Sequence, residues 1–298
     1  MVTRRLPAAV LVLVLLGAAP GLNAQATRGA MFVSALDRAG APVSQLAPSD
    51  VVVREDNVAR EVLTVTPARE PMQIAILVDN SQAAESFIRD YREALPVFLR
   101  ALTAGNDPGI SHQIALVALG ERPTILVDYS VDREQLIKSG QRIFSATGSG
   151  TYLLDGLVEV SQGISKRRAQ RPVIVAITTE GPELSTRIYQ QVLEALRASG
   201  AALHVIAVGR PVNQSNDRAV VLAEGPRTTG GQYASLLTGT ALTGRLTQLA
   251  DELTHQYHVT YARPQSLIPP ERVTIAAARP GLTVRGTAVV AERDQERP

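Results

Sequence analysis

The chain has 298 residues, of which 45% are hydrophobic and 19% charged, a globular composition with room for one large domain or two modest ones. Aromatic residues are only 4% and Trp is absent, so the core is aliphatic, and a surface that reads single-stranded nucleic acid by stacking is argued against. Cysteine is absent too, so stability rests on packing without disulfides.

At the N-terminus, Arg4 and Arg5 precede an apolar run from Leu6 to Ala19, closed by Pro20-Gly21-Leu22-Asn23-Ala24. This order reads as a secretory signal over residues 1–24, and the run is short for a transmembrane span. Leu22 is large for its place in a cleavage site, and an uncleaved anchor is the alternative reading. These 24 residues hold two arginines and no acid, which leaves 28 basic residues against 28 acidic ones in the mature chain. No nucleic-acid or anionic-membrane partner is indicated, and no membrane span is expected once the signal is removed. The protein reads as exported, either periplasmic or secreted. One basic cluster, Lys166, Arg167, Arg168 and Arg171, is expected to be a solvated helix end.

Residues 25–70 form a β-rich segment, with strands expected at Met31–Leu36, Asp50–Glu55 and Arg60–Val65 and a hairpin turn at Asp56-Asn57. Residues 71–256 alternate buried strands with amphipathic helices. Ile74–Val78 is a continuous apolar run ending in Asp79, the pattern of a strand covered on both faces. A helix is predicted from Ala84 to Leu102, with a kink or break at Pro96. Ile114–Leu119 and Thr124–Asp128 make a hairpin, which places an antiparallel strand at one edge. Helices at 132–144, from Thr151, around Ile188–Leu196 and at 241–256 alternate with strands at Val173–Ile177, Leu203–Val208 and Gln232–Leu236. Gly209 to Gly231 is expected to be a long loop. Residues 257–298 return to strand chemistry and end in a charged, frayed tail, and they are expected to pack with the N-terminal strands. The fold class is α/β, a doubly wound, mostly parallel sheet with a small accessory β layer.

In open α/β sheets, ligands sit beyond the carboxyl ends of the strands, where the strand order reverses. Asp79-Asn80-Ser81-Gln82-Ala83, Gly148-Ser149-Gly150-Thr151 and Thr178-Thr179-Glu180-Gly181 are expected to converge there. Their carboxylates and hydroxyls are hard oxygen donors, suited to Mg²⁺, Ca²⁺ or Mn²⁺. The arrangement resembles a von Willebrand factor A domain, whose metal-ion-dependent adhesion site is written D-x-S-x-S, then Thr, then Asp. It is similar to the exported bacterial VWA-related family in its flanks as well, through Leu46–Asp56 before the domain and Arg279–Arg285 after it. The resemblance implies a metal site at Asp79, Ser81, Thr151 and Glu180. Ala83 stands where the second serine belongs and Glu180 where the aspartate belongs, so the site is expected to be degenerate and its Mg²⁺, Mn²⁺ or Ca²⁺ weak or absent. Another reading of the same residues has Asp79, Ser81 and Thr151 as helix caps and Glu180 as a solvated acid.

No H-E-x-x-H, P-loop or G-x-S-x-G pattern occurs, and Gly148-Ser149-Gly150 lacks the rest of a dinucleotide fingerprint. His255 and His258 straddle a helix–strand junction and read as ordinary histidines. Asn213-Gln214-Ser215 has the form of a glycosylation sequon, which the bacterial resemblance argues against. The expected function is a non-catalytic extracytoplasmic binding or adhesion module, in which an acidic side chain of a protein partner completes the cation's coordination. The alternatives are a metal-independent scaffold and a hydrolase on a doubly wound sheet, the latter without a nucleophile–base pair to support it.

Overall fold

A strand that is apolar on both faces has to lie between two covering layers, and the centre of this protein is built that way. The computed structural model describes residues 27–104, 109–210, 215–264 and 270–289. The expected signal segment, the sequon asparagine and the charged tail lie outside them. In chain order the first strands are β1 (Thr27–Leu36), β2 (Val51–Glu55), β3 (Val58–Arg60), β4 (Val62–Pro67) and β5 (Met72–Val78). Then come α1 (Ile88–Thr103), β6 (Gln113–Ala118), β7 (Thr124–Ser130), α2 (Arg133–Gln141), α3 (Leu153–Arg167) and β8 (Arg171–Thr179). The rest are α4 (Tyr189–Ser199), β9 (Ala202–Val208), α5 (Asn216–Thr229), β10 (Gln232–Leu236), α6 (Leu242–Thr254), β11 (Tyr257–Arg263), β12 (Val273–Ala277) and β13 (Thr283–Ala288).

The main sheet has the order β10-β9-β8-β5-β6-β7. Its pairings are parallel except β6–β7, the antiparallel edge expected from the hairpin. Both central strands, β5 and β8, are buried at every residue. On one face, Ile76 and Val175 pack under Tyr91 and Phe98 of α1 and Leu246 of α6. On the other, Leu77 and Ile174 meet Leu157 of α3, Leu196 of α4 and Val221 of α5. Each such side chain contributes about 1.5–3 kcal/mol over leaving it exposed. The chain leaves β5 for β6 on one side and comes back to β8 on the other, so the strand order reverses between β5 and β8.

Several sequence expectations need correction. The break allowed for at Pro96 does not occur, since helix α1 continues through this buried residue. The supposed loop at 209–231 contains α5, capped by the Ser215 side chain, which accepts from the Arg218 amide. Its inner face holds Arg218, Gly225 and Pro226 beside Val221 and Leu222, so it lacks the apolar stripe by which helices are found in sequence. Finally, Lys166, Arg167 and Arg168 are exposed at the end of α3, but Arg171 is buried at the start of β8.

The N- and C-terminal segments pair with each other as expected, but as two antiparallel sheets, β13-β1-β11-β4 and β12-β2-β3. Asp56 and Asn57 turn between β2 and β3 with φ of 47° and 68°, a left-handed pair typical of type I′ hairpins. The single strand expected from Arg60 to Val65 splits at Glu61, so β3 joins one sheet and β4 the other. Between the sheets lie Met31, Val33, Val53 and Val259. Glu55 is buried there and bonded by Arg60 (3.0 Å), Arg263 (3.3 Å) and the Tyr261 hydroxyl (3.1 Å).

The accessory sheets meet the α/β unit through Arg285 of β13, which pairs with buried Glu252 of α6 at 2.7 Å. Beside this pair sits His204 of β9, 1% exposed, and its pKa is lowered to about 4, chiefly by burial. The folded protein therefore binds fewer protons than the unfolded chain between about pH 4 and pH 6.5, and stability falls as pH is lowered through that window. For this one group the loss is on the order of 3 kcal/mol. Denaturant unfolding at pH 7 and pH 4.5 should show that loss, and His204→Leu should remove its share of the difference.

Candidate functional site at the carboxyl ends of the strands

Asp79 follows β5 and is fully buried. Its Oδ1 accepts from the Ser81 amide at 3.0 Å. Oδ2 accepts from the Thr179 amide at 2.9 Å, the Thr179 hydroxyl at 2.6 Å and the Thr178 hydroxyl at 3.4 Å. The carboxylate thus ties the end of β5 to the end of β8, across the point where the strand order reverses.

Ser81 and Thr151 are also fully buried, and among the described residues neither Ser81 Oγ nor Thr151 Oγ1 has a hydrogen-bond partner. The capping reading fails for both. Ser81 precedes the 3-10 turn Gln82–Phe87 without a side-chain cap bond, and α3 begins after Tyr152, also uncapped. Thr151 is fixed by its backbone: its amide donates to Pro182 O at 2.9 Å, and its carbonyl accepts from the Leu184 amide at 2.8 Å. The Thr151 loop reaches the Ser81 segment through the Gln82 amide and Ser149 O at 3.4 Å.

Asn80 is the staple that sequence reading passed over. Its Oδ1 accepts from the Gly120 amide at 2.7 Å, and its Nδ2 donates to Phe144 O at 3.0 Å. A Cβ at Gly120 would lie 3.0 Å from that Oδ1, so glycine keeps the two loops this close. Gly181 is tighter still, since a Cβ there would come within 2.4 Å of the Ala83 methyl. Ala83 thus faces the β8 loop but brings no oxygen to it.

Glu180 follows Thr179 and is half-buried. Its charge is felt by Tyr233 of β10, whose pKa is raised first by burial and then by Glu180. The structure therefore brings Asp79 and Ser81 into direct contact and Thr151 onto the adjoining loop, while Glu180 is joined to the group through Thr179.

Behind the face lies a second feature that sequence reading missed. Arg218 of α5 is fully buried and pairs with Glu183 at 3.0 Å. It also donates to the Thr178 hydroxyl at 2.9 Å and to Thr179 O at 2.5 Å. A guanidinium thus holds the two threonines that hold Asp79. The signal was weak because Arg218 lay in a segment read as a loop.

Residues 73–233 match the family model of the von Willebrand factor type A domain, more than half of the chain. The chain belongs to that family. Among solved structures it is similar to a von Willebrand factor type A protein from Catenulispora acidiphila, at 13% identity and a TM-score of 0.50, over 90% of this chain and 75% of that one. It is similar to proximal thread matrix protein 1 of the mussel byssus at 15% identity and a TM-score of 0.49, over 70% of this chain and 50% of that one. The minor pilin PilB of Streptococcus sanguinis gives 11% identity and a TM-score of 0.48, over 63% of this chain and 62% of that one. At these identities the likeness concerns the fold alone. No curated protein matches the sequence.

The site residues of this von Willebrand factor A domain fit a hard cation by one observation, the two buried hydroxyls left without partners. Among the described residues no group of three or more His, Cys, Asp or Glu forms a metal cluster, so hydroxyls would have to share the holding with Asp79.

The Arg218–Glu183 pair generates a stability prediction. Arg218→Met strands the Glu183 carboxylate, which is 3% exposed, and should cost about 3–5 kcal/mol by denaturant unfolding. Adding Glu183→Gln should recover most of that loss, because the uncompensated charge is then gone.

Proposed function

We propose that the protein is a non-catalytic binding or adhesion module acting outside the cytoplasm, and that its partner docks on the carboxyl-end face of the sheet. In this reading Asp79, Ser81 and Thr151, assisted by Glu180, hold a weakly bound Mg²⁺, Mn²⁺ or Ca²⁺. The cation supplies an electropositive point for an acidic side chain of a protein partner. The unpartnered Ser81 and Thr151 hydroxyls carry the proposal, because a buried hydroxyl without a partner costs about 1–3 kcal/mol and an oxygen-seeking ion would satisfy both.

The protein-binding half of the reading is supported by the rim. Phe144 is 67% exposed and Leu184 49% exposed, and they lie on the loops that bond Asn80 and Thr151. Exposed apolar side chains around a polar centre suit a protein partner. Among the described residues no helix is long and apolar enough to cross a membrane.

A metal-independent scaffold is the second reading, and two observations favour it. Asp79 already accepts four hydrogen bonds from the protein. The ligand position at Ala83 is a methyl group packed against the β8 loop.

Calorimetric titration separates the two. With Mg²⁺, Mn²⁺ or Ca²⁺ at millimolar concentration, the metal-dependent reading expects saturable heat and a raised unfolding midpoint, both lost in Ser81→Ala. Joint substitution of Ala83→Ser and Glu180→Asp should tighten binding. No heat and no thermal shift with any of the three ions would leave the scaffold.

A further inference from the structure

At the opposite end of the sheet, a cleft of about 290 Å³ opens between the amino ends of the central strands and the accessory β layer. His112, which precedes β6, and Arg171, which begins β8, line it together with Val43, Gln256 and Tyr257. The volume is at the lower end for small-molecule sites, too small for a protein segment but enough for a compact ligand.

Arg171 is 3% exposed, and its hydrogen-bond acceptors are all neutral. Nε and Nη2 reach Gln256 Oε1 at 3.1 and 2.8 Å, Nη2 reaches Leu253 O at 2.5 Å, and Nη1 reaches Glu70 O at 3.3 Å. The guanidinium also lies over the Phe32 ring, 5.3 Å from its centroid. Among the described residues its surroundings supply dipoles and a π face but no counter-charge in contact. Glu70 is the acid whose charge Arg171 feels. The Glu70 carboxylate turns instead to His258 at 3.5 Å and to the Arg69 amide at 3.0 Å. A guanidinium has five N–H donors, so the four bonds to described residues leave one on Nη1, and Arg171 lines the cleft.

His112 supplies a second donor. Its Nδ1 accepts from the Met72 amide at 3.1 Å, which puts the ring proton on Nε2. Burial, and then the Arg171 charge, lower its pKa to about 4, so it stands neutral at pH 7 with that N–H to donate. A buried cation without a contacting anion, beside a fixed N–H and an open volume, is a setting that favours a negatively charged guest.

We propose that this cleft binds the oxyanion group of a small ligand, a carboxylate or a phosphate, through Arg171 Nη1 and His112 Nε2. The cleft adjoins the accessory layer, since Tyr257 begins β11 and Gln256 precedes it. The site stands at the far end of the sheet from Asp79 and does not depend on the function proposed for that face.

The test uses the full mature chain, with inorganic phosphate and succinate as separate probes at ionic strength matched with sodium chloride. Proton NMR follows the His112 ring resonance, assigned by its disappearance in His112→Gln. At least one probe should move that resonance saturably and raise the His112 pKa, while leaving His204 unmoved. At tenfold excess over its Kd, the same probe should raise the unfolding midpoint by roughly 3 °C. Response to phosphate alone, succinate alone or both identifies the oxyanion class. Arg171→Gln should abolish both effects, and if that variant fails to fold, the His112 titration of the wild-type chain decides. A His112 resonance unmoved by either probe, or an equal response in folded Arg171→Gln, would overturn the proposal.

Discussion

Complete burial of β5 and β8 governs the placement of polar chemistry in this protein. Along the centre of the sheet, side chains on both faces are enclosed by helices, and an unpaired polar group there has no water to turn to. Polar and charged residues on these strands are therefore pushed to their ends. Asp79 and the Thr178-Thr179 pair mark the carboxyl ends, and Arg171 marks an amino end. Both candidate sites follow from one constraint, with an anion at one end of the sheet and a cation at the other.

The two ends solve the burial of charge differently. Asp79 is enclosed by hydrogen-bond donors, with Arg218 placed one residue behind them, so its charge is stabilised through the threonines rather than by direct pairing. Arg218 in turn has its own carboxylate in Glu183. The result is a relay from Glu183 through Arg218 and Thr178 to Asp79, a network in which each group orients the next. Among the described residues Arg171 has no such carboxylate in contact, only carbonyl oxygens and a ring.

The doubly wound architecture was legible in the sequence because its signal is repeated: Ile74–Val78 and Val173–Ile177 are continuous apolar runs between helical patterns, and Leu203–Val208 is apolar except at His204. The segments around Asp79, Thr151 and Glu180 were legible for the same reason, since each directly follows or adjoins such an element. Helix α5 was not, because its buried face is made of Arg218, Gly225 and Pro226, residues that are signals for surface and turn until the partner is known. Arg171 was misread on the same logic: it follows three exposed basic residues, and only the tertiary contact with Gln256 separates it from them. Asn80 was overlooked because a side-chain amide has no periodicity. Its role appears only when the Gly120 and Phe144 loops are in place.

The geometry at Ala83 differs from that at Ser81 and Thr151. Ala83 removes an oxygen from the set, and a methyl group in contact with the β8 loop makes no demand of its own. Ser81 and Thr151 are different. Both hydroxyls stay buried and unpaired, and neither caps a helix, although apolar replacements of similar size would have avoided the cost. A plain scaffold has no physical need of two such groups at the carboxyl ends of the strands. The two hydroxyls, rather than the match to a sequence pattern, are the physical feature on which the reading of this face rests.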